Sequence, residues 1–331
     1  MRPLTETIPK PLLPFMNRPF LEQVLDHLGR HGIEEAICSS PYLESVFRGF
    51  LDDRGDALPR VRWITEEEPL GTAGAIAGAR EHLDETFLAL NGDVLTDLDL
   101  TRLVAFHRER GARATIALTP VEDARAFGLV EMGGDGRVLA FREKPTDLVP
   151  GTINAGTYVL DPSVLDAIPM GRMVSIERET FPGLIERGEP VFGFVADGYW
   201  RDLGTPGAYL AAHLDALDGR IEGFRDLSGP VAGEGAVIDP QARVTRHVVL
   251  GPGATVAAGS SVDRSILHER ARVGPDAVVE DTILGRSSEV EHGAEVRGGV
   301  LAEGATLAAG VRVLDVKVGP GERLETRPIQ G

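Results

Sequence analysis

Apolar residues along the first two-thirds of the chain follow two alternating patterns. After Pro19, which suits a first helical turn, Phe20, Leu21, Val24, Leu25 and Leu28 recur at three- and four-residue spacing until Gly32, and this spacing predicts an amphipathic helix. Short apolar runs follow at EEAICSS, VRWITEE, TFLALNGD and ATIALTPV, and these predict strands. Helical stretches over 43–51, 73–83 and 100–110 separate them. Helix and strand alternating from residue 15 to about 215 predict a doubly wound α/β domain with a mostly parallel sheet. Ligands of such sheets sit outside the carboxyl ends of the strands, so polar residues just past an apolar run become candidates for function.

The pattern changes after GRIEGFRDLSGP. From Leu250 the sequence divides into equal lines, LGPGATVAAGSSVDRSI, LHERARVGPDAVVEDTI, LGRSSEVEHGAEVRGGV and LAEGATLAAGVRVLDVK, followed by VGPGERL. The period is 17, from Leu250 through Leu267, Leu284 and Leu301 to Val318. Within each line a second and third aliphatic residue fall six apart, as in Val256 and Val262 or Val273 and Val279. One aliphatic per hexad, with small residues between, predicts a parallel β-helix whose three flat sides stack coil on coil. Ala232, Ile238 and Val244 extend the hexads backward, giving about five coils.

Charge narrows the function classes. With 34 basic and 51 acidic side chains the net charge is −17, so the molecule repels polyanions and nucleic acid is excluded as a partner. No window resembles a membrane-spanning helix and the N-terminus has no apolar signal core, which predicts a cytoplasmic protein with no membrane partner. Cys38 is the single cysteine, in a run that reads as a buried strand, so it predicts neither an internal disulfide nor a catalytic thiol.

Several residues could carry chemistry. Asp93 follows the apolar run of FLALNGD, where it could bind a hard cation such as Mg²⁺ or simply close a turn on its own backbone. In GYWRDLGTP, Tyr199 and Trp200 supply an apolar wall, Gly204 permits close approach, and Asp202 is either a second cation ligand or a carboxylate near a helix start. Gly71 and Gly74 in PLGTAGAIAGA would admit a flat ring or a phosphate, or would serve tight helix packing. Glu143 and Lys144 in FREKP, and Asn154 and Gly156 in INAGTYVL, read alone as a solvated pair and a turn.

Taken in order, KPLLP, LGTAGA, NGDVL, FREKP, NAGTYVL and YWRDLGTP resemble the sugar-1-phosphate nucleotidyltransferases, also called nucleotide-sugar pyrophosphorylases. EEEPLGTAGA, SIERETFP and GYWRDLGTP in one chain are most similar to the mannose-1-phosphate guanylyltransferases. The resemblance implies a Rossmann-like doubly wound sheet over 1–218, a linker over 219–230 and a left-handed β-helix of hexapeptide repeats over 231–331. It implies transfer of a nucleotidyl group from a nucleoside triphosphate, most simply GTP, to a sugar 1-phosphate, with glucose-1-phosphate thymidylyl- or uridylyltransfer as the alternative. By position, Lys10 would meet the triphosphate; Leu70, Gly71, Thr72, Ala73 and Gly92 would border the nucleotide; Asp93 and Asp202 would hold Mg²⁺. Glu143, Asn154, Gly156 and Trp200 would surround the sugar, and Lys144 would meet its phosphate. Members of this group carry a strand and a G-G-x-G-T-R loop ahead of RPLT, whereas here RPLT begins at Arg2, so Met1 is expected to be an internal methionine of a longer frame and a chain without the loop is expected to be impaired. A non-catalytic, nucleotide-sugar-binding regulator is a second expectation. A third is an acyltransferase using His247, His268 or His292, which the 17-residue period disfavours because these histidines do not share a column. The flat β-helix faces suggest a homo-oligomer.

Overall fold

The computed structural model describes residues 1–42, 44–125, 127–143 and 150–325, Glu143 by its backbone alone. They form two compact units, residues 24–200 and residues 1–23 together with the chain from 201 onward. The helix read from Phe20 to Gly32 is α1, Phe20–Arg30, with Phe20, Leu21, Leu25 and Leu28 buried.

In the 24–200 unit, β3 (Glu35–Ser40) and β4 (Arg60–Thr65) lie parallel, joined through α2 (Glu44–Arg54). A loop and α3 (Gly71–Gly78) lead to β5 (Phe87–Leu90) and the short β6 (Val94–Thr96). The Asp99 carboxylate then caps α4 (Leu100–Arg110) by accepting from Arg102 N, and Gly111 ends it in a left-handed conformation. Next come β7 (Ala114–Val121), β8 (Gly128–Met132), β9 (Val138–Glu143) and β10 (Gly151–Leu160). After them follow α5 (Phe181–Glu186) and β11 (Val191–Val195).

The helix-covered α/β sheet is present, and it is more mixed than the alternation of elements suggests. β11 runs parallel to β7, but β10 lies antiparallel to both β7 and β5, and β8 pairs antiparallel with β9 and β10. The cause is local. A parallel return needs a long crossover, usually a helix, and the connections from β7 to β8 and from β8 to β9 are too short for one. One face of the sheet packs Ile116, Leu118, Tyr158 and Leu160 against Val164, Phe181 and Leu184.

In the other unit the chain from Val231 builds a parallel β-helix with two faces of six strands and one of five. The expected five coils are therefore complete, and Lys317–Val318 and Arg323–Leu324 add two sides of a sixth. Its core is a stack of the phased aliphatics Leu250, Leu267, Leu284, Leu301 and Val318, with Val256, Val273, Val290 and Leu307 on the next side. The corners show why the 17-residue period is so strict. From Gly253 on, each corner turns through one residue at positive φ, and these residues stack: Gly253, Arg270, Ser287, Gly304 and Gly321 in one column, Arg264, Asp281, Gly298 and Asp315 in another. Insertion of one residue ahead of Gly253 or Gly321 would put a proline, Pro252 or Pro320, whose ring fixes a negative φ, at such a corner. Ion pairs between side chains one coil apart, Arg264 with Asp281 at 2.7 Å and Arg297 with Glu280, tie the coils on the outside.

Residues 1–23 pack within this same unit. β1 (Pro14–Phe15) and β2 (Arg18–Pro19) form a hairpin whose two turn residues, Met16 and Asn17, both have positive φ. Asn17 Nδ2 donates to Leu250 O at 2.9 Å, and Phe15, with no exposed surface, packs against the rings of His213 and Phe224. β12 (Trp200–Asp202) precedes α6 (Pro206–Leu217), whose first turn is capped by Thr205. Within the expected linker 219–230, Ile221 is buried and Phe224 packs against Phe15, while most of the other residues are exposed.

Candidate functional site

The glycine-rich segment after β4 is fastened at both ends. Glu66 accepts from Ser39 Oγ and from Leu70 N, both at 2.9 Å, which fixes the entry into α3. Gly71 has φ +71°, and a Cβ there would stand 2.7 Å from Val174 O, so both conformation and space require glycine. The N–H of Ala73 donates to Val174 O at 3.0 Å, with Gly74 N at 3.4 Å from the same oxygen, and the Ala73 side chain lies in the core. Two amides of the first turn of α3, those of Ala73 and Gly74, are thus turned toward protein. Thr72 is held through its hydroxyl, which donates to Glu177 Oε2 at 3.0 Å and accepts from Ile176 N at 2.8 Å.

The second half of the site is built on an irregularity in β10. The register against β7 shifts between Asn154 and Tyr158, and Gly156 at φ +71° makes the bulge possible. Asn154 Oδ1 accepts from Gly156 N at 2.9 Å, and Asn154 Nδ2 donates to Tyr158 Oη at 2.8 Å. Asn91, at the end of β5, donates its backbone N–H to Gly156 O at 2.8 Å. Its side-chain amide also reaches the Tyr158 hydroxyl. The middle residue of the bulge, Ala155, accepts from Trp200 Nε1 at 2.8 Å, and Trp200 packs edge-on against Phe127.

Asp93 lies in the turn from β5 to β6, one residue past the exposed Gly92, whose Cβ position opens on empty space. The turn continues into Asp97, and Asp97 Oδ1 accepts from Tyr199 N at 2.6 Å while Tyr199 O accepts from Thr96 Oγ1 at 2.9 Å. The segment NGDVLTD thus clamps the backbone of GYW. Asp202 belongs to the other unit, where its Oδ1 accepts from Gly204 N. Lys10 opens a one-turn 3₁₀ helix over Lys10–Leu12, also in that unit. Glu143 ends β9 with its backbone paired to Gly128, and Lys144 falls outside the described residues.

The structure therefore joins Thr72, Asn154, Gly156 and Trp200, from three separate motifs, in one hydrogen-bonded neighbourhood of the 24–200 unit. It adds four residues that the sequence did not single out, Asn91, Asp97, Tyr158 and Glu177. Asn91 and Asp97 flank Asp93 in the NGDVLTD run, which was the available signal; Tyr158 reads as a core aromatic of a strand. Among the described residues no three His, Cys, Asp or Glu side chains cluster as a metal site. The two candidate ligands, Asp93 and Asp202, carry the hard oxygen donors that a cation such as Mg²⁺ prefers. Among the described residues no helix is long and apolar enough to cross a membrane. Cys38 is half-buried in β3, and desolvation pushes its thiol up to about 11.

Comparison with known proteins adds the following. The nucleotidyl transferase family matches residues 1–219, and the GMPPB C-terminal domain matches residues 229–330. Mannose-1-phosphate guanylyltransferase of Mycobacterium tuberculosis is 39% identical over 288 residues, spanning 85% of this chain and 79% of that protein. Mannose-1-phosphate guanylyltransferase 1 of Arabidopsis thaliana is 35% identical over 311 residues, 89% of this chain and 85% of its own. Among solved structures, HddC from Yersinia pseudotuberculosis aligns with a TM-score of 0.56 at 28% identity, over 63% of this chain and 91% of that one. A second structure of HddC, complexed with GMP-PN, aligns with a TM-score of 0.55 at 26% identity, over 64% of this chain and 92% of its own.

Proposed function

Because the chain belongs to the nucleotidyl transferase family, we propose that it joins GTP and mannose 1-phosphate to give GDP-mannose and pyrophosphate. The observation that carries this reading is the identity with mannose-1-phosphate guanylyltransferases from distant organisms along both parts of the chain, with the family's motif residues gathered around the β10 bulge.

A sugar 1-phosphate is largely dianionic at pH 7, since its second proton leaves near pH 6, so its oxygen attacks the α-phosphorus without a general base. A P–O bond forms to the sugar phosphate as the bond to pyrophosphate breaks in line. The protein's work is alignment and charge neutralisation. In this proposal Gly71 and its neighbours border the guanine, Asn154, Gly156, Glu143 and Trp200 surround the sugar, and Lys10 and Lys144 offset phosphate charge. Asp93 and Asp202 would hold a divalent cation, Mg²⁺ in our reading, which when bound neutralises phosphate oxygens and favours departure of pyrophosphate. A cytoplasmic location and assembly into a homo-oligomer through the β-helix belong to the same proposal, and light scattering tests the second.

The direct experiment measures pyrophosphate release with GTP, UTP and dTTP against mannose 1-phosphate and glucose 1-phosphate. GTP with mannose 1-phosphate is expected to give the highest kcat/KM, and a higher value for a glucose pair overturns the substrate assignment. Asp93→Asn and Asp202→Asn should each lower kcat by roughly 10²-fold or more, the scale of losing an electrostatic group at a transferring phosphoryl centre. Unchanged turnover in either variant removes that residue from the cation site.

A further inference from the structure

The Glu177 carboxylate gathers hydroxyl groups from three separate stretches of chain. Its Oε2 accepts from Thr72 Oγ1 at 3.0 Å and from Ser175 Oγ at 2.8 Å, and its Oε1 accepts from Tyr158 Oη at 3.3 Å. It lies on a five-residue π-helical turn, Ile176–Thr180, a backbone form uncommon enough to mark a functional constraint. The donors on its two oxygens differ in kind. Thr72 is in the segment assigned to the nucleotide, whereas Tyr158 touches Asn154 and Asn91 beside the segment assigned to the sugar.

The direction of the Asn154 and Glu177 hydrogen bonds at Tyr158 is determined. Asn154 Nδ2 can only donate, so the phenol oxygen accepts from it and its single proton goes to Glu177. That proton stays in place, because burial and the neighbouring Glu177 push the phenol well above its ordinary value. Asn154 is then fixed the right way round, with Oδ1 on Gly156 N and Nδ2 on Tyr158. Without an acceptor at Glu177 the phenol proton would compete with the Asn154 amide, which would lose its defined orientation.

We propose that Glu177 is a positioning residue that registers the sugar half of the site against the nucleotide half, orienting Asn154 through Tyr158 on one oxygen and holding Thr72 on the other. This rests on the guanylyltransfer reading above. The two oxygens make separable predictions. In Glu177→Gln the single remaining oxygen is best placed on the two hydroxyls of Thr72 and Ser175, which turns the new NH₂ toward Tyr158 and leaves the phenol facing two NH₂ donors. Glu177→Gln should therefore lower kcat/KM for mannose 1-phosphate on the order of 10²-fold, the scale of a small misplacement of a substrate-positioning group. Its KM for GTP should stay within about threefold of wild type, since the Thr72 contact survives. Glu177→Ala should impair both substrates. Tyr158→Phe should reproduce the sugar-side loss, and combining it with Glu177→Gln should add little, because both act through one bond.

The test is steady-state kinetics with each substrate varied, on wild type, the three single variants and the double variant, with melting temperatures measured alongside. A selective mannose 1-phosphate defect with non-additive Tyr158→Phe and Glu177→Gln effects supports the proposal. Variants that lose melting temperature while the folded protein keeps wild-type constants for both substrates overturn it, as does full additivity. Wild type that releases no pyrophosphate with any pair overturns the assigned reaction and this role with it, whereas normal wild-type turnover with unaffected variants sinks the role of Glu177 alone.

Discussion

Two buried imidazoles should make the β-helix unit acid-labile. His213, on α6, accepts a hydrogen bond at Nε2 from Met16 N at 3.3 Å and so donates from Nδ1 to Tyr209 O at 2.9 Å. Tyr209 spends its one hydroxyl proton on Pro14 O, which makes His268 Nε2, 3.1 Å away, the donor to that hydroxyl. Both rings are thus neutral, in opposite tautomers, and neither is exposed. Burial lowers His213 to about 4, and burial together with the neighbouring His213 lowers His268 to about 3, from the ordinary 6.5. As pH falls below 6.5 the unfolded chain takes up both protons while the folded protein refuses them, so stability is full above 6.5 and is lost on the way down to those values. At pH 5.0 each ring costs about 2 kcal/mol relative to pH 7.5, at about 1.4 kcal/mol per pH unit. Protonated His213 would also turn an N–H toward the Met16 N–H and loosen the hairpin that follows Lys10. The assay is urea unfolding followed by circular dichroism at pH 7.5, 6.5, 5.5 and 5.0, on wild type, His213→Gln and His268→Gln. Glutamine can still accept from Met16 N at 213, or donate to Tyr209 at 268, and it cannot take a proton. Each variant should lose about 2 kcal/mol less than wild type over this range. Parallel losses in wild type and both variants, or ring-proton resonances of these histidines titrating near 6.5 in the folded protein, would refute the reasoning.

Three further outcomes follow from close packing. Gly71→Ala should cost about 3 kcal/mol, combining positive φ with a Cβ 2.7 Å from Val174 O, while Gly92→Ala, with open space at its Cβ, should stay within about 0.5 kcal/mol by thermal or urea unfolding. In the β-helix, Gly285→Ala places a Cβ 2.7 Å from the Ala302 backbone of the next coil and should cost more than Gly310→Ala, whose Cβ meets nothing and pays only about 1 kcal/mol for its φ of +69°; equal costs would argue against coil spacing as the constraint. Cys38, with its thiol raised to about 11, should react with a chromogenic disulfide reagent at pH 8 more slowly in the folded protein than in urea, and equal rates would contradict the raised thiol.

The parts of the fold that were legible in the sequence are those set by period and caps. The segments read as helix over 100–110 and as strand over 114–121 are α4 and β7, because the Asp99 cap, Gly111 and the apolar run mark their ends locally. The β-helix register was legible because an aliphatic side chain recurs at the same phase of every coil. Strand order was not, since the placement of β10 between β7 and β5 depends on pairings distant in sequence. In the site, the glycines and aspartates advertise themselves by type, whereas Tyr158 resembles any core aromatic and Glu177 resembles a solvated first-turn carboxylate; their roles come from partners 4 to 105 residues away. His268 was the exception hidden in plain view. Its column reads Gly251, His268, Gly285, Ala302, Gly319, and the one large residue among small ones is the one that reaches Tyr209.

The NAG tripeptide of β10 draws these strands of argument together. Asn154 faces Tyr158, the Ala155 carbonyl receives the Trp200 indole, and the Gly156 carbonyl receives Asn91 N, so three successive residues each hold a partner from a different motif. The bulge interrupts the pairing with β7 after Asn154 and leaves the Ala155 carbonyl to the Trp200 indole. The positive φ of Gly156 is therefore the local cost of the whole assembly, and the close approach of Asn91, with Nδ2 2.8 Å from where a Cβ would stand, explains why no other residue could take its place. Asp93 is two residues beyond Asn91, so the position of this candidate cation ligand is inherited from a residue anchored to the bulge.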